Sequence, residues 1–199
     1  MSTPPRWFTE TDENHSQWYV DRFRRLAEEG ADLAGEARLV DALVPPASRV
    51  LDAGCGPGRL GAELFQRGHD VVGVDVDPVL LAAAEHDHPG PTWLQSDLSV
   101  LDLPALGQPK PFEAAVLAGN VMAFVAAGTE AVVLERVAAH VVRGGRVIVG
   151  FGLERGYPLA EFDTHCVQAG LDLELRLGTW DVTPFTGDSD FAVSLLRRR

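Results

Sequence analysis

Cysteine is scarce in this chain, two among 199 residues, and that scarcity excludes several classes of protein. Cys55 lies inside a glycine-rich loop and Cys166 far from it, so there is neither a disulfide framework nor a paired Cys-x-x-Cys to hold a metal. A reduced, cytoplasmic setting is the expectation. Positive charge is also short: 17 Lys and Arg stand against 29 Asp and Glu, for a formal charge of −12. That balance argues against a nucleic-acid groove and against binding to an anionic membrane surface, and the terminal Arg197, Arg198 and Arg199 do not reverse it. No apolar run reaches the roughly 20 residues of a membrane span, and MSTPPRWFTETDE lacks the apolar stretch of a signal peptide. There is no H-E-x-x-H, no P-loop, no internal repeat and no low-complexity linker. No metal site is expected.

What the chain does have is apolar content, 46% of residues against 23% charged, enough for one well-buried core and short for two domains. A single domain over residues 1–199 is expected. Residues 49–61, RVLDAGCGPGRLG, are the most informative stretch. Val50 and Leu51 read as the end of a buried strand with Asp52 at its carboxyl edge, and Gly54, Gly56 and Gly58 alternate before a helix-like pattern opens at Arg59. Glycine lets backbone approach a ligand closely, because no Cβ intervenes and positive φ is cheap. Strand, glycine turn and helix N-terminus together make a cofactor cradle.

Two cradles fit. Gly56, Gly58 and Gly61 satisfy G-x-G-x-x-G, the dinucleotide fingerprint. The fuller string DAGCGPG, with its acid two residues before the first glycine, resembles instead the first motif of the class I S-adenosylmethionine-dependent methyltransferases. Charge separates the two, since a carboxylate beside the loop repels a pyrophosphate and suits a cofactor bearing an ammonium and a sulfonium.

The resemblance implies an α/β fold: a doubly wound, mostly parallel seven-stranded sheet of Rossmann-like type under an N-terminal helical lid. It implies S-adenosylmethionine as cofactor, with Asp52 near its amino group and the loop from Ala53 through Gly54 and Gly56 to Gly58 under its methionine and ribose. Asp75 follows the third glycine by 75 − 58 = 17 residues, close to the roughly 20 expected for a strand-tip acid that accepts from ribose hydroxyls. By resemblance Val76 lies near the adenine, Asp97 accepts from its exocyclic amine, and Leu98 offers an amide and an apolar wall. Ala118, Gly119 and Asn120, just past the fourth strand, fall beside the methionine part, with Asn120 either orienting substrate or capping the next helix. Tyr19 and Trp18 are the lid candidates, although the stripe Trp18, Tyr19, Phe23 and Leu26 is equally what a buried helix face looks like. The divisions expected are a lid segment 1–34, a cofactor-binding core 35–152 and substrate-side strands 153–199.

Around these residues the patterning predicts helices over 15–29, 35–43, 59–67 (Leu60, Leu64 and Phe65 inward), 79–85 (capped by Asp77), 129–142 and 159–168. Strands are predicted over 70–77, 91–95, 112–118 and 146–151, with a turn at 143–145, and over 171–180 and 191–196. A mobile start is expected through Asn14, with Trp7 and Phe8 out of place in it. Trp180, Pro184 and Phe185 suggest either a substrate wall or a plug at the sheet edge. The activity implied is methyl transfer to a small-molecule acceptor, with no nucleic-acid or membrane partner. A cofactor-binding module without turnover and a nicotinamide oxidoreductase are the alternatives, and none of His15, His140 or His165 is assigned as a base.

Overall fold

The computed structural model describes residues 3–199; Met1 and Ser2, part of the expected mobile start, lie outside the described residues. Three helices come first, α1 (Arg6–Thr9), α2 (His15–Glu28) and α3 (Gly35–Leu43). They are followed by β1 (Arg49–Ala53), α4 (Arg59–Gln66), β2 (Asp70–Asp75), α5 (Pro78–Asp87) and β3 (Thr92–Gln95). The second half runs β4 (Phe112–Leu117), α6 (Val121–Phe124), α7 (Glu130–Ala139), β5 (Val141–Gly152), α8 (Leu159–Gln168), β6 (Leu171–Leu177) and β7 (Phe191–Arg198). All seven strands form one sheet in the order β3-β2-β1-β4-β5-β7-β6. The first five are parallel and β7 is antiparallel to both its neighbours. The fold is therefore the expected doubly wound one.

Successive side chains of a strand point to opposite faces, so the valine-rich central strands must be covered twice. Val50, Val71, Val116 and Ile148 pack with α3 and α4 on one face. Leu51, Val72, Leu117 and Val149 pack with α7 and α8 on the other. Asp52 shares the Val50 face and so points at α4. Strand order reverses between β1 and β4, and the crevice beyond the carboxyl ends of strands at such a reversal is where doubly wound sheets bind ligands.

Several expectations need correcting. Residues 6–9 are helical rather than a mobile start, because Arg6 donates to Glu130 Oε1 at 2.8 Å and Trp7 packs edge-on against Tyr19 and Phe124 at 5.5 and 5.4 Å. In α2 only Val20 is fully buried and Trp18 is 52% exposed, so that stripe is not a core face. Phe65 is 42% exposed at the flank of α4, its ring against Gly90. The turn at 143–145 is a bulge within β5. Phe112 and Ala114, two apart on β4, pair with Val141 and Arg146, five apart on β5, and the three extra residues are accommodated where Gly144 takes φ 76°. Strand β6 ends at Leu177, short of Trp180.

Candidate functional site

The glycine loop is tied down at every step. Gly54 and Cys55 donate to Val74 O at 2.7 and 3.0 Å, Gly56 donates to Asp75 Oδ2 at 2.8 Å, and Gly58 donates to Cys55 O at 3.1 Å. The three glycines, all at positive φ, do different jobs. A Cβ on Gly54 would drive into Val121, and one on Gly58 would lie 2.9 Å from Ala84 and 3.0 Å from Trp93, so both are fixed by packing. A Cβ on Gly56 would meet nothing closer than Tyr19 Cε1 at 3.8 Å, so this glycine borders open space on the cavity wall. Gly61, the last glycine of the dinucleotide pattern, is likewise accounted for by the protein itself. A Cβ there would lie 2.9 Å from the Trp93 ring and 3.1 Å from Asp52 Oδ2.

Asp52 lies beside the first turn of α4, its Oδ2 next to Gly61, where a negative charge is unfavourable to a pyrophosphate. It is 2% exposed, and its Oδ2 finds no hydrogen-bond partner among the described residues. Burial pushes its carboxyl up to about 7, against the pull of Arg59 and of the Gly61 amide. An orphaned acceptor in so dry a place costs about 1 to 3 kcal/mol and is the kind of group a ligand cation satisfies. Asp75 is also buried, and burial raises its carboxyl. One of its oxygens takes Gly56 N and the other takes Asp77 N at 2.9 Å, which locks the glycine loop to the turn between β2 and α5.

These groups open onto a cavity at the carboxyl ends of β1, β2 and β4. Of the candidates, Tyr19, Asp52, Gly54, Gly56, Asp75, Val76, Asp97, Leu98, Ala118 and Gly119 line it. Ala53 and Gly58 do not; they sit in the wall behind it. Asp97 Oδ1 accepts from Ser99 N at 2.8 Å, capping the 3-10 turn Leu98–Val100. Asn120 does not line this cavity, and although it stands at the N-cap position of α6, where its carbonyl accepts from Ala123 N at 2.8 Å, its side chain makes no cap. It sits at φ 66° and its Oδ1 accepts from Gly152 N at 2.7 Å, tying the β4 and β5 ends together.

Asn120 lines a second, outer cavity, which shares Trp7, Tyr19, Phe23, Arg59, Gly119 and Phe124 with the first. Tyr19 therefore stands between the two, its hydroxyl 3.6 Å from where a Gly119 Cβ would be. Trp18 lines the outer cavity alone. Sequence reasoning missed Trp7, which lines both cavities, and Arg59, which holds Glu36 with two hydrogen bonds of 2.9 and 2.6 Å. An aromatic stranded in a polar leader was the signal for Trp7. Trp180, Pro184 and Phe185 line neither cavity. The Trp180 ring packs over Gly150 and so covers a face of the inner strand β5, while Phe185 lies beside Arg176 of the edge strand β6 at 5.8 Å. His15 reaches the outer cavity, whereas His140 lies beside Leu101 and Leu103 and His165 bonds Tyr157.

Asp77 ties the N-terminal helices to α5. It caps α5 through Val79 N at 2.8 Å, accepts from Trp7 Nε1 at 2.7 Å and accepts from Ser16 Oγ. Loss of the cap and both tethers in Asp77→Ala is expected to lower stability by about 2 to 4 kcal/mol. The accompanying red shift in Trp7 emission would show that α1 has come away from α5; unchanged emission would mean that Asp77 does not hold it.

A Rossmann-like sheet whose glycine cradle carries an unpaired carboxylate and a strand-tip acid defines a nucleoside-cofactor site built for a cation. Comparison with known proteins agrees. A family model described as "Methyltransferase domain" matches residues 50–145. The solved structure of a TehB-like SAM-dependent methyltransferase from Corynebacterium glutamicum superposes with a TM-score of 0.88 at 39% identity, covering 94% of this chain and 100% of that one. The chain belongs to the class I S-adenosylmethionine-dependent methyltransferases. Magnesium-protoporphyrin O-methyltransferase from Rhodobacter capsulatus is 39% identical over 94 residues, 45% of this chain and 41% of that protein. Ubiquinone biosynthesis O-methyltransferase from Xanthomonas campestris is 34% identical over 119 residues, 52% and 49% respectively. The match thus spans less than half the length of these two curated relatives.

Proposed function

We propose that this protein transfers a methyl group from S-adenosylmethionine to a small-molecule acceptor, as one domain acting in the cytoplasm, without nucleic acid or membrane as partner. The observation that carries the reading is the buried Asp52 carboxyl on the wall of the inner cavity, in no ion pair among the described residues and with one oxygen lacking a hydrogen-bond partner, an acceptor matched to an ammonium. Asp75 would take the ribose hydroxyls with the lone pairs its two backbone bonds leave over, and Asp97 and Leu98 would meet the adenine beside Val76. Gly56 and Gly119 would let backbone approach the cofactor closely. Asn120 would act by holding the β4 and β5 ends in register.

When bound, the cofactor supplies an electrophilic methyl group on a sulfonium, and the protein's share is to position the acceptor and exclude water. Two abutting cavities with Tyr19 and Gly119 at their junction provide that arrangement. The lid, held by Asp77 and by the Arg6–Glu130 ion pair, screens it from solvent. The carboxylate beside α4 and the packing roles of Gly58 and Gly61 speak against a nicotinamide dinucleotide.

Thermal unfolding of cofactor-free protein with S-adenosylmethionine, S-adenosylhomocysteine or NADH tests this. At about 100 times its dissociation constant a ligand adds roughly 2.7 kcal/mol, a shift of roughly 5 to 11 °C for a chain of this size. The shift is expected with the two adenosyl ligands alone. A shift with NADH alone would replace the reading with an oxidoreductase, and tight adenosyl binding without turnover on a broad acceptor panel would make the protein a binding module.

A further inference from the structure

On the methyltransferase reading, the outer cavity receives the acceptor, and its walls describe that acceptor's chemistry. Its apolar side is aromatic, with Trp7, Trp18, Tyr19 and Phe23, and Trp7, Tyr19 and Phe23 form a chain of edge-to-face contacts at 5.5 and 4.9 Å. Such faces suit a flat or apolar molecule. Walls that combine several aromatic rings with guanidinium groups suit an organic molecule rather than a small inorganic ion.

Charge then narrows the choice. The cavity is lined by Arg22, Arg59 and Arg155 and by Asp32 and Glu36. Both acids are already engaged: Asp32 takes Arg38 through 2.8 and 2.7 Å bonds, and Glu36 takes Arg59 through 2.9 and 2.6 Å bonds. Arg22 and Arg155 meet no carboxylate among the described residues. The Arg22 guanidinium lies 5.7 Å from the ring centres of both Trp18 and Phe23, which holds its charge at the aromatic wall without neutralising it. Arg155 follows β5, its stem along Gly152, the residue Asn120 grips. In a chain of formal charge −12, two guanidiniums without acids on one cavity are a local reversal of sign, and guanidinium forks match the paired oxygens of carboxylate and phosphate.

We propose that the acceptor is an organic anion whose apolar, preferably aromatic body lies against Trp18 and Phe23, with its carboxylate or phosphate held by Arg22 and Arg155. Its nucleophilic atom is then directed inward between Tyr19 and Gly119. Arg22 and Arg155 are the specificity-determining residues of this arrangement.

The test is calorimetric titration of the S-adenosylhomocysteine-saturated protein with matched probes: hydroxybenzoate and hydroxycinnamate against their primary amides, and phenyl phosphate against phenol. The acids are expected to bind about tenfold or more tighter than their neutral partners, with an advantage that shrinks as salt is raised. A carboxylate preference over phosphate, or the reverse, names the anionic group. In the variant Arg22→Met with Arg155→Met the advantage is expected to vanish while the amides bind as before, and retained S-adenosylhomocysteine binding shows that the variant is folded. Neutral partners binding as well as the acids, no binding by any acid, or an acid advantage that survives in the double variant would each overturn the proposal and leave the methyltransferase reading intact. Failure of the unmodified protein to bind S-adenosylhomocysteine would instead remove that reading, and this proposal with it.

Discussion

S-adenosylmethionine should bind roughly 50-fold more tightly at pH 7 than at pH 5, and the stability of the ligand-free protein should move the other way. Both follow from Asp52, whose carboxyl is pushed up to about 7 by burial. About one molecule in a hundred carries the ionised form at pH 5 and about half do at pH 7, while a ligand ammonium requires that form. For stability, the folded value lies above the unfolded 3.8, so the native state holds the extra proton between the two. Its contribution is therefore full below pH 3.8 and is lost as pH rises to 7, by up to about 4 kcal/mol at 1.36 kcal/mol per unit. Asp52→Asn should flatten both slopes while matching the low-pH affinity of the parent. Titration calorimetry and urea unfolding between pH 5 and 8, on parent and variant, read the two effects. An affinity independent of pH in the parent would take Asp52 out of contact with the cofactor's cation.

The second large effect is on stability and centres on Trp93. Its indole occupies a slot left by Gly58, Gly61 and Gly73, glycines from the loop, α4 and β2, with its Nε1 donating to His88 O at 3.1 Å. Trp93→Ala is expected to cost about 3 to 5 kcal/mol through lost burial and cavity. Gly73→Ala is expected to cost about 1 to 3 kcal/mol or more, because its Cβ would enter the indole ring on a central strand. Together they should cost clearly less than the two losses added, since the new methyl falls into the space the ring vacates. Urea midpoints for the four proteins give the coupling, and strict additivity would mean that ring and strand do not share this slot.

What could be seen in the amino-acid sequence was whatever a short window holds. Asp52, Gly54, Gly56 and Gly58 lie within seven residues, and Asp75 stands at the tip of the next valine-rich run, so strand, loop and acid announced themselves. The Asp77–Pro78 cap was legible for the same reason. What was not legible depends on partners far along the chain. Asn120 was weighed as a helix cap but bonds Gly152, and Trp7 is held by Asp77, 70 residues away. Gly61 matched a dinucleotide pattern, yet its absent side chain answers to Trp93. Trp180 looked like a substrate wall until Gly150 was found beneath it. Glycine says that something comes close; only the folded chain says what.

The position of β7 bears on how the molecule is made. The strand synthesised last among the seven lies inside the sheet, between β5 and β6, and β6 joins the sheet through it alone. While residues 191–198 are still inside the ribosome, the Val147 to Phe151 edge of β5 has no neighbour and β6 has nothing to pair with. Such an open, apolar strand edge invites pairing with other chains. The nascent chain thus stays open to aggregation until β7 has emerged and paired with both neighbours.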